Sequence, residues 1–208
     1  MHQRTFAFAV APVLALAATP ALAENLLLPG DVAIAIDSDV PTFGPFPAGE
    51  APSFALDGDP TTKYLNFGEE NSGLVLEPSR GASIVTSTTL TTANDAEARD
   101  PSSFEIYGTN ETLVTPQNGQ GDEQMWTLIA AGDLDLPAER GVEGPTVSFD
   151  NMMAYTAYKV VFPTVKDADA ANSIQYAELQ LGGTFAVPEP SSLALLGLGG
   201  VTLLRRRR

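Results

Sequence analysis

A short loop in the first third of the chain collects the oxygen atoms that a hard cation needs. Residues 57–62, with the sequence DGDPTT, offer two carboxylates, two hydroxyls and free carbonyls on a tight turn. Calcium takes about six to eight oxygen ligands, and Gly58 and Pro60 favour the bent backbone that gathers them. The same residues also suit a plain Asp-Gly turn whose side chains cap their own backbone. No Glu follows Asp57 at the offset of an EF-hand, so that motif is excluded.

The residues that are absent exclude most kinds of catalytic centre. The chain contains no cysteine, and its one histidine is His2. Disulfides, thiolate chemistry, nucleophiles activated by histidine and the ordinary zinc sites are therefore excluded from the rest of the chain. A mechanism would have to use carboxylates, tyrosine, lysine or a bound cation.

An enzyme built on carboxylates remains as an alternative, either a glycosidase or a calcium-dependent lyase. The two carboxyl groups of a glycosidase face each other across a cleft, about 5–10 Å apart. The close acidic pairs of this sequence, Glu69-Glu70 and the pair Asp133 and Asp135, are neighbours along the chain and are typical of surface charge. The sequence therefore predicts a protein without catalytic activity.

The pattern of apolar residues predicts an all-β domain. Nine short alternating or β-branched runs are separated by Gly, Pro, Asn and Asp, and no long window has helical periodicity. The runs are 32–36, 64–67, 73–76, 82–92, 104–107, 126–129, 147–149, 157–162 and 174–181. Short strands with turn-rich connections are typical of an antiparallel sandwich. Loops are predicted at 37–52, 115–124 and 164–173.

The N-terminal residues have the features of a secretory signal peptide. Arg4 supplies a positive charge, an apolar run follows over 5–18, and the small residues Ala21 and Ala23 form an A-x-A site for cleavage after Ala23. This order predicts export and removal of residues 1–23 by signal peptidase. A membrane anchor or a buried helix is the alternative, but the run is short for a span and contains Pro12.

The C-terminal residues resemble a known sorting signal. Pro188-Glu189-Pro190 precedes an apolar run over 191–204, and the cluster Arg205, Arg206, Arg207 and Arg208 follows. The order resembles the PEP-CTERM signal, which implies processing by an exosortase in the inner membrane of a Gram-negative bacterium. The run spans only about 21 Å as a helix, and the arginines place its end in the cytoplasm. An ordinary tail anchor is the alternative to this short transient membrane helix.

Removal of both ends leaves residues 24–187, enough chain for one domain. They hold 25 of the 26 acidic residues and six of the 11 basic ones, a net charge of −19. Such a surface repels nucleic acid and anionic lipid and suits an environment rich in divalent cations. Solubility alone is also a sufficient reason for acidic charge.

The middle of the chain, about residues 50–182, resembles the galactose-binding-like jelly rolls. That family includes discoidin domains, coagulation-factor C domains and bacterial carbohydrate-binding modules. The resemblance is carried by four segments in the family's order: FALDGDPTTKY at 54–64, SFEIYGTN at 103–110, WTLI at 126–129 and IQYAELQL at 174–181. Tyr64 stands where Trp is usual, and the cysteines of many members are missing. The resemblance implies an antiparallel jelly-roll sandwich.

The resemblance also implies a structural calcium ion. In the family this ion is held by the DGD loop together with the Glu of the last strand. Carried over to this sequence, the ligands would be Asp57, Asp59, Thr62 and Glu178, with neighbouring carbonyls.

For function, the resemblance implies binding of carbohydrate by loops at one end of the sandwich. Asn66, Asn71, Arg99 and Asp100 fall on such loops in our interpretation, although Arg99 and Asp100 would also form a plausible local ion pair. The prediction is an exported, surface- or matrix-associated binding protein that recognises exopolysaccharide or a cell-surface glycan. A structural matrix protein without a specific ligand shares every one of these sequence features.

Overall fold

A computed structural model describes residues 24–36, 46–114 and 124–186 of the protein. The predicted signal peptide, the sorting tail from residue 187 onward and most of the predicted loops 37–52 and 115–124 lie outside these residues. Within the described ranges, no helix is long and apolar enough to cross a bilayer.

The described residues form eleven strands. They are β1 Glu24–Asn25, β2 Val32–Ile36, β3 Tyr64–Asn66, β4 Ser72–Glu77, β5 Ser83–Thr91, β6 Ser103–Thr109, β7 Thr127–Asp133, β8 Val147–Ser148, β9 Ala157–Phe162, β10 Ile174–Tyr176 and β11 Glu178–Phe185. Short 3₁₀ helices occupy Pro52–Leu56 and Glu97–Arg99. Each of the nine predicted runs contains a strand, and the run 174–181 is divided at Ala177 into β10 and β11.

The strands form two facing antiparallel sheets and a small third one. The first sheet has the order β2-β4-β9-β6-β7, the second β1-β11-β5-β8, and β10 pairs with β3. Neighbours in the sheets are mostly distant in sequence, as in the pairing of β4 with β9 and of β5 with β11. This arrangement is a jelly-roll sandwich, which confirms the predicted fold.

Alternate residues of the facing strands fill the core. Tyr158, Val160 and Phe162 of β9 point inward, and Lys159 and Val161 between them are only partly buried. This period of two is what a sheet with one buried face requires. Tyr155 and Tyr158 are both buried in the core.

The sandwich has two distinct ends. At the loop end β4, β6 and β11 begin, at Ser72, Ser103 and Glu178; at the tail end β5 begins at Ser83 and β11 finishes at Phe185. Antiparallel pairing fixes this polarity, because the start of each strand lies beside the finish of its partner. The DGDPTT loop and most of the predicted site residues lie at the loop end.

Candidate functional site

The DGDPTT loop is held in shape by its own side chains. It follows the 3₁₀ helix Pro52–Leu56, and Gly58 has φ = +77°, a left-handed conformation that other residues rarely adopt. The Asp57 carboxylate accepts hydrogen bonds from the Asp59 N–H (2.8 Å) and the Thr62 hydroxyl (2.8 Å). These bonds bring the Asp57 carboxylate and the Thr62 hydroxyl together on one side of the turn.

Asp59 has a different orientation from its neighbour. Its carboxylate accepts hydrogen bonds from the Thr61 N–H (2.9 Å) and the Thr61 hydroxyl (2.6 Å), and these bonds lower its pKa. The residue is exposed, so its carboxylate is solvated and already partnered. Within the described residues, no group of three or more His, Cys, Asp or Glu side chains is placed to hold a metal ion.

Glu178, at the start of β11, packs against this loop. It is only 8% exposed, and its Oε1 atom has no hydrogen-bond partner among the described residues. Burial, followed by a hydrogen bond to the Asp57 carboxyl group, raises the pKa of Glu178 to about 7. Two adjacent carboxyl groups, one of them buried and incompletely bonded, form an arrangement that a cation would stabilise.

The residues present therefore fit a calcium ion, with a smaller carboxylate set than the sequence implied. Asp57, Thr62 and Glu178 supply oxygens that converge, and nearby carbonyls can supply others. The Asp59 carboxylate would have to rotate away from Thr61 to join them. Beside the site lies a cleft of about 410 Å³, whose lining includes Leu28, Leu56, Gly58, Glu143 and Glu178.

A network around the buried Lys63 fixes the neighbouring loops. The Lys63 ammonium donates to the Asp95 carboxylate (2.8 Å) and the Gln175 side-chain carbonyl (2.9 Å), and lies 3.5 Å from the Glu50 carboxylate. Burial opposes ionisation of Asp95, but the hydrogen bonds from Lys63 and Gln175 outweigh it and lower the pKa of Asp95. The network connects three chain segments that the sequence does not place together.

Two of the four predicted sugar-binding residues are inside the protein. Asn66 lies in β3 rather than on a loop, is fully buried, and donates to the Ile36 carbonyl (2.9 Å) and the Tyr64 hydroxyl (2.8 Å). Asp100 is also fully buried. Neither side chain is therefore exposed to solvent, and both are bonded within the protein.

Asp100 is paired with Arg140 and not with Arg99. The Arg140 guanidinium makes a bidentate contact to the carboxylate at 2.7 and 2.6 Å, and the Lys166 ammonium lies 3.6 Å from the same carboxylate. The predicted local ion pair between Arg99 and Asp100 is therefore replaced by a long-range one. Sequence reasoning missed Arg140, and its signal was weak, since it is one arginine in a loop forty positions away.

Asn71 and Arg99 remain available at the loop end. Asn71 is exposed with φ = +62°, and its N–H donates to the Phe162 carbonyl at 2.8 Å. Arg99 is half-buried and is the last residue of the 3₁₀ helix Glu97–Arg99. Its positive charge helps to lower the pKa of Asp95. The Lys63 and Arg140 contacts to Asp95 and Asp100 hold the loop that carries Arg99, and the bond from Asn71 to Phe162 holds the turn that carries Asn71.

The strand order and the facing sheets define an antiparallel jelly roll. The family model of the PEP-CTERM protein-sorting motif matches residues 186–208, which confirms the sorting signal. That motif directs export and exosortase processing at the cell surface or outside the cell. No significant match is found among curated protein sequences.

Solved structures of similar fold include carbohydrate-binding modules. One is the family 32 module of NanJ from Clostridium perfringens in complex with galactose, with 19% identity and a TM-score of 0.53 over 77% of this chain and 98% of that one. A second family 32 module from this organism, in complex with GalNAc-β-1,3-galactose, has 18% identity and a TM-score of 0.53 over 78% and 100%. A third, from a family 31 glycoside hydrolase, has 13% identity and a TM-score of 0.56 over 78% and 96%. At these identities the likeness establishes the fold.

Proposed function

We propose that the protein is an exported, non-catalytic carbohydrate-binding protein that recognises exopolysaccharide or a cell-surface glycan. The observation that carries this proposal is the loop end, where a hydrogen-bonded turn presents Asn71 and an ion-paired loop presents Arg99, on a fold in which solved modules bind sugars. Sugars are recognised by planar hydrogen-bonding groups held in fixed positions. An amide and a guanidinium on rigid loops supply such groups.

A glycan array probed with the purified mature protein tests this function. We expect binding to a limited set of glycans, and we expect Asn71→Ala and Arg99→Ala each to weaken it by about tenfold, the effect of one lost hydrogen bond to a charged or polar group. Glu111→Ala, an exposed change at the tail end, is the matched control and should leave binding unchanged. Binding to no glycan would favour a structural matrix protein, and release of reducing sugar would favour a glycosidase or lyase.

We also propose that Asp57, Thr62 and Glu178 hold a structural calcium ion, with Asp59 contributing backbone atoms in the conformation described. Its support is the unpartnered Glu178 oxygen beside the Asp57 carboxylate. When bound, the ion would neutralise both carboxylates and connect an early loop to the last strand. Asp57 and Thr62 would keep their positions, because their mutual hydrogen bond already orients them.

A pH dependence follows for the metal-free protein. The pKa of Glu178 is raised to about 7 in the folded state, so the proton is bound more tightly there than in the unfolded chain. Stability from this group is present below its unfolded pKa of about 4.3 and is lost as pH rises through 7. In the presence of a chelator, we expect the melting temperature to fall between pH 5 and 8.

The control for this pH effect is Glu178→Gln, which cannot ionise. Since His2 is the only histidine and lies in the predicted signal peptide, no other side chain of ordinary pKa titrates in that window. The variant should therefore show a nearly flat melting temperature from pH 5 to 8. An equal fall in both proteins would assign the effect to general charge repulsion.

A further inference from the structure

The sorting tail leaves the domain at the tail end. Strand β11 finishes at Phe185, the Ala186 N–H donates to the Ala82 carbonyl at 2.8 Å, and the sorting motif begins at residue 186. The strand that opens the domain also lies here, since Glu24 of β1 pairs with Gly183 of β11. The tail end is therefore the part of the domain nearest to any membrane that holds the tail.

Three methionines are exposed at this same end. Met152, Met125 and Met153 are 90%, 80% and 61% exposed. Large apolar side chains that are exposed together often mark a surface that binds a partner. Methionine is flexible and apolar, so it adapts to an irregular surface.

A strand bridge and a hydrogen bond place these methionines beside the exit of the tail. Tyr155 forms a bridge with Ser83, which is itself the register partner of Phe185. The Asn151 side-chain amide donates to the Val85 carbonyl at 3.0 Å, so the loop containing Met152 and Met153 lies against the start of β5.

Met125 belongs to the same surface through a second set of contacts. The Asn110 side-chain amide donates to the Ala154 carbonyl at 3.1 Å, and the Met125 N–H donates to the carboxylate of Glu111 at 2.9 Å. We call Met125, Met152 and Met153 the methionine surface.

The length of the connection limits how far this surface can be from the bilayer. Residues 186–190 separate Phe185 from the apolar run that starts at Ser191. Five residues span at most about 17 Å when extended. A short tether of this kind gives an effective concentration in the millimolar range, which makes a weak contact sufficient for docking.

Acidic residues lie at both ends of the domain. At the tail end Glu24 is paired with Arg80 at 3.1 Å, and Arg80 stacks on Phe185. Glu77, Glu111 and Asp150 are exposed at the same end. The orientation at a membrane is therefore decided by the apolar side chains and the short tether, and not by charge.

We propose that the methionine surface docks on the lipid bilayer while the sorting tail is inserted, and that this contact points the loop end away from the membrane. The partner is the headgroup and upper acyl region of the lipid, into which exposed apolar side chains partition. The inference builds on the sorting signal and holds whether or not the loop end binds sugar.

Methionine oxidation measures this contact directly. The full chain without its signal peptide is inserted into vesicles of phosphatidylcholine, treated with the water-soluble oxidant chloramine-T, digested and analysed by mass spectrometry. Asp169→Met provides an internal reference, because Asp169 is exposed at the loop end. We expect Met152 and Met125 to oxidise about fivefold more slowly than this reference, the ratio for a surface docked roughly four-fifths of the time.

Two variants separate docking from mere proximity. A flexible insertion of about 20 residues between Val187 and Pro188 lowers the effective concentration and should restore oxidation of Met152. Met152→Ser with Met153→Ser removes the apolar contact, and should restore oxidation of Met125 with the tail still inserted. Equal oxidation of all sites in the unmodified chain would overturn the proposal. Protection that persists in detergent-free solution without vesicles would assign the surface to a second copy of the chain instead.

Discussion

Calcium is expected to raise the melting temperature of the metal-free protein by about 5–10 °C at a hundredfold excess over its dissociation constant. Binding to the folded state alone contributes about 2.7 kcal/mol under that condition, and each kcal/mol shifts the transition of a domain of this size by about 2–4 °C. Asp57→Ala should remove most of the rise, because it deletes the carboxylate that faces Glu178 and orients Thr62. The measurement is thermal unfolding with calcium and with chelator at fixed ionic strength.

The matched control is Asp59→Asn, which changes the other carboxylate of the same turn. The Asp59 carboxylate is directed at Thr61, so its loss should leave most of the calcium effect in place. The sequence and the structure differ here, since the resemblance gave Asp57 and Asp59 equal roles. A loss in Asp59→Asn as large as in Asp57→Ala would show that the carboxylate rotates onto the ion. A rise of the same size in all three proteins would show charge screening and no specific site.

The fold could be predicted because its signals are local. An alternating run such as 157–162 predicts both a strand and which of its faces is buried. In the structure Tyr158, Val160 and Phe162 of this run point into the core. The division of 174–181 into two strands was not predictable, because Ala177 continues the same apolar pattern while its N–H donates to the Thr91 carbonyl of another strand. Local pattern does not report which strand a residue pairs with.

The candidate site was predictable only where its residues are close in sequence. Residues 57–62 form one turn, and their types alone indicate its geometry. Asn66 looked like a loop residue, yet both faces of the β3–β10 pair are covered and its amide is used to bond the Ile36 carbonyl. Asp100 looked like a partner of its neighbour Arg99, yet extended backbone at Asp100 turns its carboxylate inward to Arg140. Long-range polar pairs of this kind follow from the packing of loops, which a single sequence does not show.

Loss of the Arg140 side chain is expected to be strongly destabilising. Asp100 is fully buried, and Arg140 supplies two of its short hydrogen bonds while also donating to the Asp95, Pro137 and Ala138 carbonyls. Removal of one member of a buried ion pair costs about 3–5 kcal/mol, because it leaves the other charge without its partner. Lys166, at 3.6 Å, compensates for part of this loss. Urea unfolding of Arg140→Ala should therefore show a decrease toward the lower part of that range.

Two further variants decide whether the buried charge is the cause. In Arg140→Ala combined with Asp100→Asn, no uncompensated carboxylate remains, so the double variant should be more stable than Arg140→Ala alone. Glu24→Ala breaks the exposed pair with Arg80 and should change the free energy of unfolding by less than about 1 kcal/mol. If Arg140→Ala lowered the free energy of unfolding as little as Glu24→Ala does, the contact with Asp100 would contribute no more to stability than an exposed surface pair. If the double variant were the less stable one, lost packing and not charge would account for the effect.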